Sequence, residues 1–142
     1  MSFYELLLVL HVLAAFAFVA AVVVFWTMTV VGLSGARAGG GLYATLARPA
    51  NALVAVGAIF TLVFGVWLAI YVDGYELWDG WIVASLILWA IGSGTGERAG
   101  RKLGQPDAFL DPSRRRQGIL LQVVATAALL GVLVLMIFKP GA

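Results

Sequence analysis

The sequence contains no cysteine, a single histidine and few charged residues. Without cysteine, the chain has no disulfides, no thiolate metal ligands and no cysteine nucleophile. Charged residues make up 11% of the 142 residues, whereas about a quarter of the residues of a soluble domain are charged. Hydrophobic residues make up 63%, and the mean hydropathy is +1.03. This composition excludes an ordinary soluble domain and a disordered tail.

Four long runs lack Asp, Glu, Lys and Arg, and a membrane-spanning helix needs roughly 20 such apolar residues. The runs and their helical continuations predict spans at about 4–34, 49–72, 79–102 and 112–138. Backbone groups in lipid must be hydrogen-bonded within their own segment, so each span is expected to be a helix. The sequence therefore predicts an all-α membrane protein with one domain, a four-helix transmembrane bundle.

The basic residues predict the orientation of this bundle. Eight of the nine lie between spans one and two or between spans three and four. Only Lys139 lies on the other side, which carries four acidic residues. Short cytoplasmic loops retain Lys and Arg. We therefore expect loops one and three in the cytoplasm and both termini outside.

The connections carry further local signals. The segment from Ser34 to Gly41 is glycine-rich and expected to be flexible, and residues 42–48 are expected to form a short surface helix. The outer loop between spans two and three contains Tyr75, Trp78 and Trp81, which are predicted to anchor the protein at headgroup level.

The third connection predicts the start of span four and a contact with lipid. Asp111 is expected to cap the helix, with Pro112 at the first helical position, where its missing N–H has no cost. The following arginines are expected to contact anionic lipid headgroups; they are Arg114, Arg115 and Arg116. Nucleic-acid binding would require a larger basic face with interleaved aromatic residues, so no nucleic-acid partner is expected.

His11 is the most distinctive polar residue within the spans. It is expected roughly 12 Å below the outer end of span one. An imidazole there could hydrogen-bond a neighbouring helix, or it could bind haem b or copper. With one histidine in the chain, haem ligation would require Met136 as a second ligand, a second chain or an open coordination position. No carboxylate or cationic side chain lies near the middle of a span, which disfavours ion-coupled transport.

Two further patterns concern helix packing and polarity. Small residues at a spacing of four allow close approach of helices, either within the bundle or between protomers; they are Gly57, Thr61 and Gly65 in span two and Gly92, Gly96 and Gly100 in span three. In span four, Gln122 and Thr126 share a polar face. This face is expected in the inner half of the membrane, separate from His11.

The segment Leu10-His11-Val12-Leu13-Ala14-Ala15 opens span one of a small four-span chain. In this it resembles the predicted integral membrane family called domain of unknown function 2269. The first helix is also similar to that of copper-resistance D type membrane proteins. The resemblance implies a multi-pass protein of the bacterial plasma membrane, the cell inner membrane. It leaves the activity open, and it carries over only His11 as a functional position.

Three functions stay open at this point. The sequence lacks the motifs of hydrolases, kinases and metalloproteases, which favours a non-enzymatic protein. The leading prediction is a scaffold or accessory subunit that acts as a homo-oligomer or beside a membrane-protein partner, and it predicts co-purification of a stoichiometric partner. The first alternative is a haem- or copper-associated redox or metal-handling protein that uses His11. The second is an oligomeric channel or carrier for a neutral solute, lined by Gln122 and Thr126.

Overall fold

The computed structural model describes residues 1–35, 38–105 and 107–140, and this part of the chain is helical apart from short connections. The helices are α1 (Phe3–Leu33), α2 (Ala38–Tyr71), α3 (Gly80–Leu103) and α4 (Pro112–Phe138). Helix α1 packs along α2 and α3 packs along α4, whereas α2 and α3 make almost no direct contact. The predicted all-α class is thus confirmed for the described residues, which form two helical hairpins.

Most of the apolar surface of these helices faces outward. Helices α1 and α4 and residues Thr45–Tyr71 of α2 are long and apolar enough to cross a membrane. Phe16 is 73% exposed, Ile70 62% and Ile137 73%. An apolar surface of this extent is unfavourable in water and matches the hydrocarbon of a bilayer. The structure therefore supports the prediction of a membrane protein with transmembrane helices.

Helix α3 differs from the other three in length and composition. The sequence predicted a third span here, but α3 does not reach the apolar character of the others. Its apolar part ends at Ile91, after which only small or hydroxyl-bearing residues precede Glu97. The predicted continuation of the helix through the charged segment is confirmed, because α3 extends to Leu103. Helical structure is shown for this segment, and membrane crossing by it stays a prediction.

Helix α2 begins earlier than the sequence predicted. A flexible segment, a surface helix and a separate span from Pro49 were expected, but one helix runs from Ala38 through Pro49 to Tyr71. A proline removes one main-chain donor, and helices of membrane proteins tolerate this loss where neighbouring groups replace the bond. Arg37 and Pro106, which belong to the predicted connections, lie outside the described residues.

The start of α4 follows the predicted capping pattern. The Oδ1 atom of Asp111 accepts hydrogen bonds from the main-chain N–H groups of Ser113, at 3.0 Å, and Arg114, at 3.4 Å. Pro112 occupies the first helical position. The cap satisfies donors that have no partner within the helix, so the predicted boundary is confirmed.

Two polar pairs connect the hairpins by linking α1 to α4. The Nε1 atom of Trp26 donates a hydrogen bond to Oγ1 of Thr126 at 2.9 Å. Three residues along α1, Oγ1 of Thr29 lies 2.9 Å from Oε1 of Gln122. Thr29 and Gln122 are both buried. The polar face that the sequence predicted on α4 thus contacts α1.

The two pairs are expected to differ in their contribution to stability. Thr126→Val should lower the free energy of unfolding by ~1–3 kcal/mol, because the indole N–H of Trp26 loses its acceptor. Gln122→Leu should cost less, about 0.6 kcal/mol, because Thr29 keeps its hydrogen bond to the main-chain oxygen of Phe25 at 2.9 Å. Unfolding titrations with sodium dodecyl sulfate in mixed micelles measure both values. A larger loss for Gln122→Leu would contradict this ranking.

Candidate binding cavity

A cavity of about 520 Å³ lies between the helices, in the space that separates α2 from α3. All four helices contribute to its mainly apolar walls, for example with Phe25 of α1, Ala58 of α2, Trp89 of α3 and Leu129 of α4. Binding pockets for small molecules typically measure ~300–1,000 Å³ and have mostly apolar linings. The size and the walls of the cavity match such a site.

The glycines of α3 that the sequence predicted for packing form part of this cavity. A Cβ atom at Gly92 would lie 3.4 Å from Cβ of Ala128, and one at Gly96 would lie 3.6 Å from Cβ of Ala125. Both glycines therefore face α4 of the same chain, at distances where an added Cβ would make an ordinary van der Waals contact. Gly100, farther along α3, faces α1 and α2 and also lines the cavity.

Several residues that line this mainly apolar space carry a buried polar atom without a hydrogen-bond partner. Within the part of the chain that the structure describes, there are four such atoms: Tyr43 Oη, Trp89 Nε1, Ser93 Oγ and Gln122 Nε2. The side chains of Tyr43 and Gln122 are only 6% and 7% exposed. An unsatisfied buried polar group typically costs ~1–3 kcal/mol. The residues of the cavity wall therefore hold polar groups whose hydrogen bonds are not made within the described chain.

The amide of Gln122 keeps one free polar atom in either of its orientations. Oγ1 of Thr29 lies 2.9 Å from both the main-chain oxygen of Phe25 and Oε1 of Gln122. A hydroxyl has a single proton, so it can donate to only one of them. If Thr29 donates to Phe25, the amide of Gln122 is better turned, with its nitrogen toward Thr29 and its oxygen free. Thr126, by contrast, donates to the main-chain oxygen of Gln122 at 2.8 Å and accepts from α1, so its hydroxyl is satisfied.

The cavity wall carries no unbalanced charge among the described residues. Glu97 and Arg101, one turn apart on α3, are its charged lining residues and form an ion pair with each other. Tyr43 lies near the same end of α3, in a buried cluster with Leu103. Burial raises the pKa of the Tyr43 phenol to about 12, because the charged form is poorly solvated. The phenol therefore stays neutral near pH 7.

His11 lies in a different, smaller pocket of about 260 Å³. Its Nδ1 atom is 3.1 Å from the main-chain oxygen of Thr61 on α2, so the imidazole forms the interhelical contact that the sequence allowed. A Cβ atom at Gly65 would lie 3.1 Å from Cε1 of His11. Met136, the candidate second haem ligand, lines the same pocket. His11 and the polar face of α4 therefore line different pockets.

A contact in the lining of the small pocket was not predicted from the sequence. Nζ of Lys139 donates to the hydroxyl of Tyr75 at 2.9 Å and lies 4.9 Å from the centre of that ring. Trp81 packs edge-to-face against Tyr75, with ring centres 5.4 Å apart. Trp78 is exposed, in keeping with an interfacial anchor, whereas Trp81 is buried. The only feature of the sequence that pointed to this contact was Lys139, the one basic residue predicted on the same side of the membrane as the aromatic outer loop.

The remaining predicted residues lie outside both pockets. Gly57 faces the main chain of Phe18 on α1. The three arginines, Arg114, Arg115 and Arg116, follow the cap of α4, where Arg114 donates to Oε1 of Gln105 and Arg116 is exposed. Their contact with lipid stays a prediction.

Sequence reasoning did not single out Tyr43 and Trp89, although both line the larger cavity. Aromatic residues in a membrane helix are usually core or interfacial residues, so neither stands out in the sequence. The one signal was the position of Trp89, near the middle of an apolar run, where a buried indole N–H needs a partner.

Known proteins give no independent guide to either pocket. Comparisons of the chain with protein-family models, with curated proteins and with solved structures found no match.

Proposed function

We propose that this chain is a membrane-embedded binding protein or carrier for a small, neutral, lipid-soluble molecule, held in the larger cavity. The observation that carries this proposal is the set of unpartnered polar atoms within mainly apolar walls. Small-molecule sites commonly combine an apolar lining with a few polar groups that orient the ligand. This function corresponds to the neutral-solute alternative, and Gln122 and Thr126 do line the cavity.

We further propose that α3 crosses the bilayer, which gives four spans with both termini outside and loops one and three in the cytoplasm. Support comes from the packing of α3 along α4, since α4 is long and apolar enough to span. The distribution of basic residues supports the orientation. The resemblance of the first helix supports a bacterial plasma membrane.

Single cysteines can test this topology, because the chain has none of its own. Trp78 and Ser113 are exposed residues that precede and follow α3. We expect Trp78→Cys to react with a membrane-impermeant maleimide in intact cells and Ser113→Cys to react only after permeabilisation. The reverse pattern would invert the orientation. Labelling of both in intact cells would exclude a crossing by α3.

Photo-cross-linking can test the binding function. The full chain in nanodiscs of zwitterionic lipid is irradiated with an alkyl diazirine that has no charged group and no carbonyl. Cross-links are expected on cavity residues such as Ala58 and Leu129, and an excess of unlabelled hydrocarbon should reduce them. Outward-facing residues such as Phe16 and Ile137 should show diffuse labelling that the competitor does not change. Labelling confined to the outward faces would contradict the proposal.

A second candidate function, haem or copper binding, is favoured by the pocket that His11 and Met136 share. With Nδ1 directed at a main-chain oxygen, Nε2 of the imidazole remains available as a ligand. The volume of about 260 Å³ lies below the usual range of ~300–1,000 Å³ for cofactor sites, which favours a metal ion over a porphyrin.

An absorption spectrum and metal analysis test this second candidate on protein from cells supplied with copper and a haem precursor. We expect a Soret band or stoichiometric copper that disappears in both His11→Ala and Met136→Leu. Gln122→Leu serves as the control, because Gln122 lies in the other cavity, and it should keep the bound group. A colourless, metal-free preparation would contradict this function.

The scaffold or accessory function, with a homo-oligomer or a membrane-protein partner, stays a prediction. The close approaches at Gly57, Gly92 and Gly96 are made to helices of the same chain. A partner surface would therefore use other residues than these glycines.

A further inference from the structure

We propose that the molecule bound in the larger cavity carries a carbonyl oxygen that accepts hydrogen bonds from Trp89 and Ser93, as in a quinone or another neutral ketone with an apolar body. This inference rests on the binding function proposed above and names its ligand class.

The two donors lie on one face of α3. Trp89 and Ser93 are four residues apart, which places them one above the other along the helix, at a rise of roughly 6 Å. Nε1 of Trp89 and Oγ of Ser93 are both buried and have no hydrogen-bond partner among the described residues. An indole N–H can only donate. A ligand group that pairs with this N–H must therefore be an acceptor.

The surroundings select a neutral acceptor. The charged lining residues of the described chain, Glu97 and Arg101, already pair with each other. A carboxylate or ammonium group beside Trp89 would have no counter-charge, and an unpaired charge within a membrane is costly. The ligand group at these donors is thus uncharged.

A carbonyl fits the two donors better than a hydroxyl. A carbonyl oxygen has two lone pairs and brings no proton of its own, so it needs only donors such as Trp89 and Ser93. An alcohol brings a proton of its own, and the indole N–H of Trp89 cannot accept it. Tyr43 offers another neutral donor in the same cavity, which favours a compound with more than one carbonyl, such as a quinone.

Water is a poor substitute for such a ligand. Buried water needs two to four polar partners, and cavities with apolar walls stay dry. The free polar atoms are few for a space of about 520 Å³. An occupant that fills the cavity must therefore be mostly apolar, with its acceptor confined to one part.

The test uses the full chain in zwitterionic nanodiscs and two probes of matched size, a decyl-substituted para-benzoquinone and decylbenzene. Each probe competes with the alkyl diazirine for cross-linking in the cavity. We expect the quinone to compete at least tenfold more strongly than the hydrocarbon. With a ¹³C-labelled carbonyl, the infrared band of the bound quinone should lie at lower frequency than in lipid alone, because the carbonyl accepts hydrogen bonds.

Two conservative variants locate the donors. Trp89→Phe keeps an aromatic ring without the N–H, and Ser93→Ala removes only the hydroxyl. Each should weaken quinone competition about fivefold and leave the hydrocarbon unchanged. The double variant should return the carbonyl band to its frequency in lipid. Trp67→Phe is the matched control, because Trp67 is exposed on α2, and it should behave like the original protein.

The outcomes separate this inference from the proposed function. Equal competition by the two probes, or a carbonyl band at its lipid frequency in the unchanged protein, would overturn the carbonyl ligand while cavity labelling by the diazirine still supports binding. Labelling confined to outward faces would overturn both. The infrared carbonyl band of quinone bound to the unchanged protein shows whether the carbonyl accepts hydrogen bonds, even where a variant fails to fold.

Discussion

Replacing Gly57 with alanine is expected to lower the free energy of unfolding by ~1–3 kcal/mol, as overpacking does in a well-packed core. A Cβ atom at this position would lie 2.9 Å from the main-chain nitrogen of Phe18 and 3.1 Å from its Cα. The obstacle is the backbone of α1, which cannot rotate away as a side chain can. Helices α1 and α2 would have to separate and lose contacts along the hairpin.

Gly94→Ala is the matched control for this prediction. Gly94 is also helical, but a Cβ atom there would meet nothing within 4 Å. Alanine should therefore stabilise this variant by up to ~1 kcal/mol through its helix propensity. Unfolding titrations with sodium dodecyl sulfate measure both variants. Equal stability of Gly57→Ala and the original protein would mean that the hairpin does not need this close approach.

Gly96→Phe is expected to remove ligand binding from the larger cavity. Gly96 lines the cavity, and a Cβ atom there would meet only Cβ of Ala125, at 3.6 Å. The backbone therefore accepts a side chain, and the ring occupies space that the ligand needs. We expect specific diazirine cross-linking on cavity residues to fall at least about tenfold, which corresponds to ~1.4 kcal/mol.

Gly94→Phe controls for the added bulk on α3. It lies two residues away, on the other side of the helix and in open space, so it should keep full cross-linking. Thermal unfolding of both variants in detergent verifies that they are folded. Unchanged cross-linking in a folded Gly96→Phe protein would show that the ligand does not occupy this cavity.

The parts of the fold that could be predicted are those that local chemistry determines. Asp111 and Pro112 define the start of α4 because a cap and a first-turn proline act within a few residues of each other. The predicted start of α2 was wrong because the span was counted from the first residue after Arg48, whereas one continuous helix runs from Ala38 through Arg48 and Pro49. The small and polar residues after Ile91 explain why α3 is less apolar than the other helices.

The candidate site could be predicted only in part. Gln122 was identified because a buried amide is unusual in an apolar span. The pairing of Gln122 with Thr29 and the place of Trp89 in the cavity wall were not predicted, since both depend on how the hairpins pack. His11 was selected as a candidate because it is the only histidine in the sequence. In the structure it contacts the main chain of α2 and lines a different pocket from the one that Gln122 lines.

The sequence by itself determined that this protein is helical, with helices long and apolar enough to cross a membrane. Composition and run length are properties of each segment alone. A hydrocarbon core requires every crossing segment to be apolar over about 20 residues and to bond its backbone groups internally. Only the tertiary structure decided where a ligand could bind. The cavity exists because α2 and α3 stay apart while α3 packs closely on α4 and α1 on α2. Spacing along one helix cannot encode that separation between two hairpins.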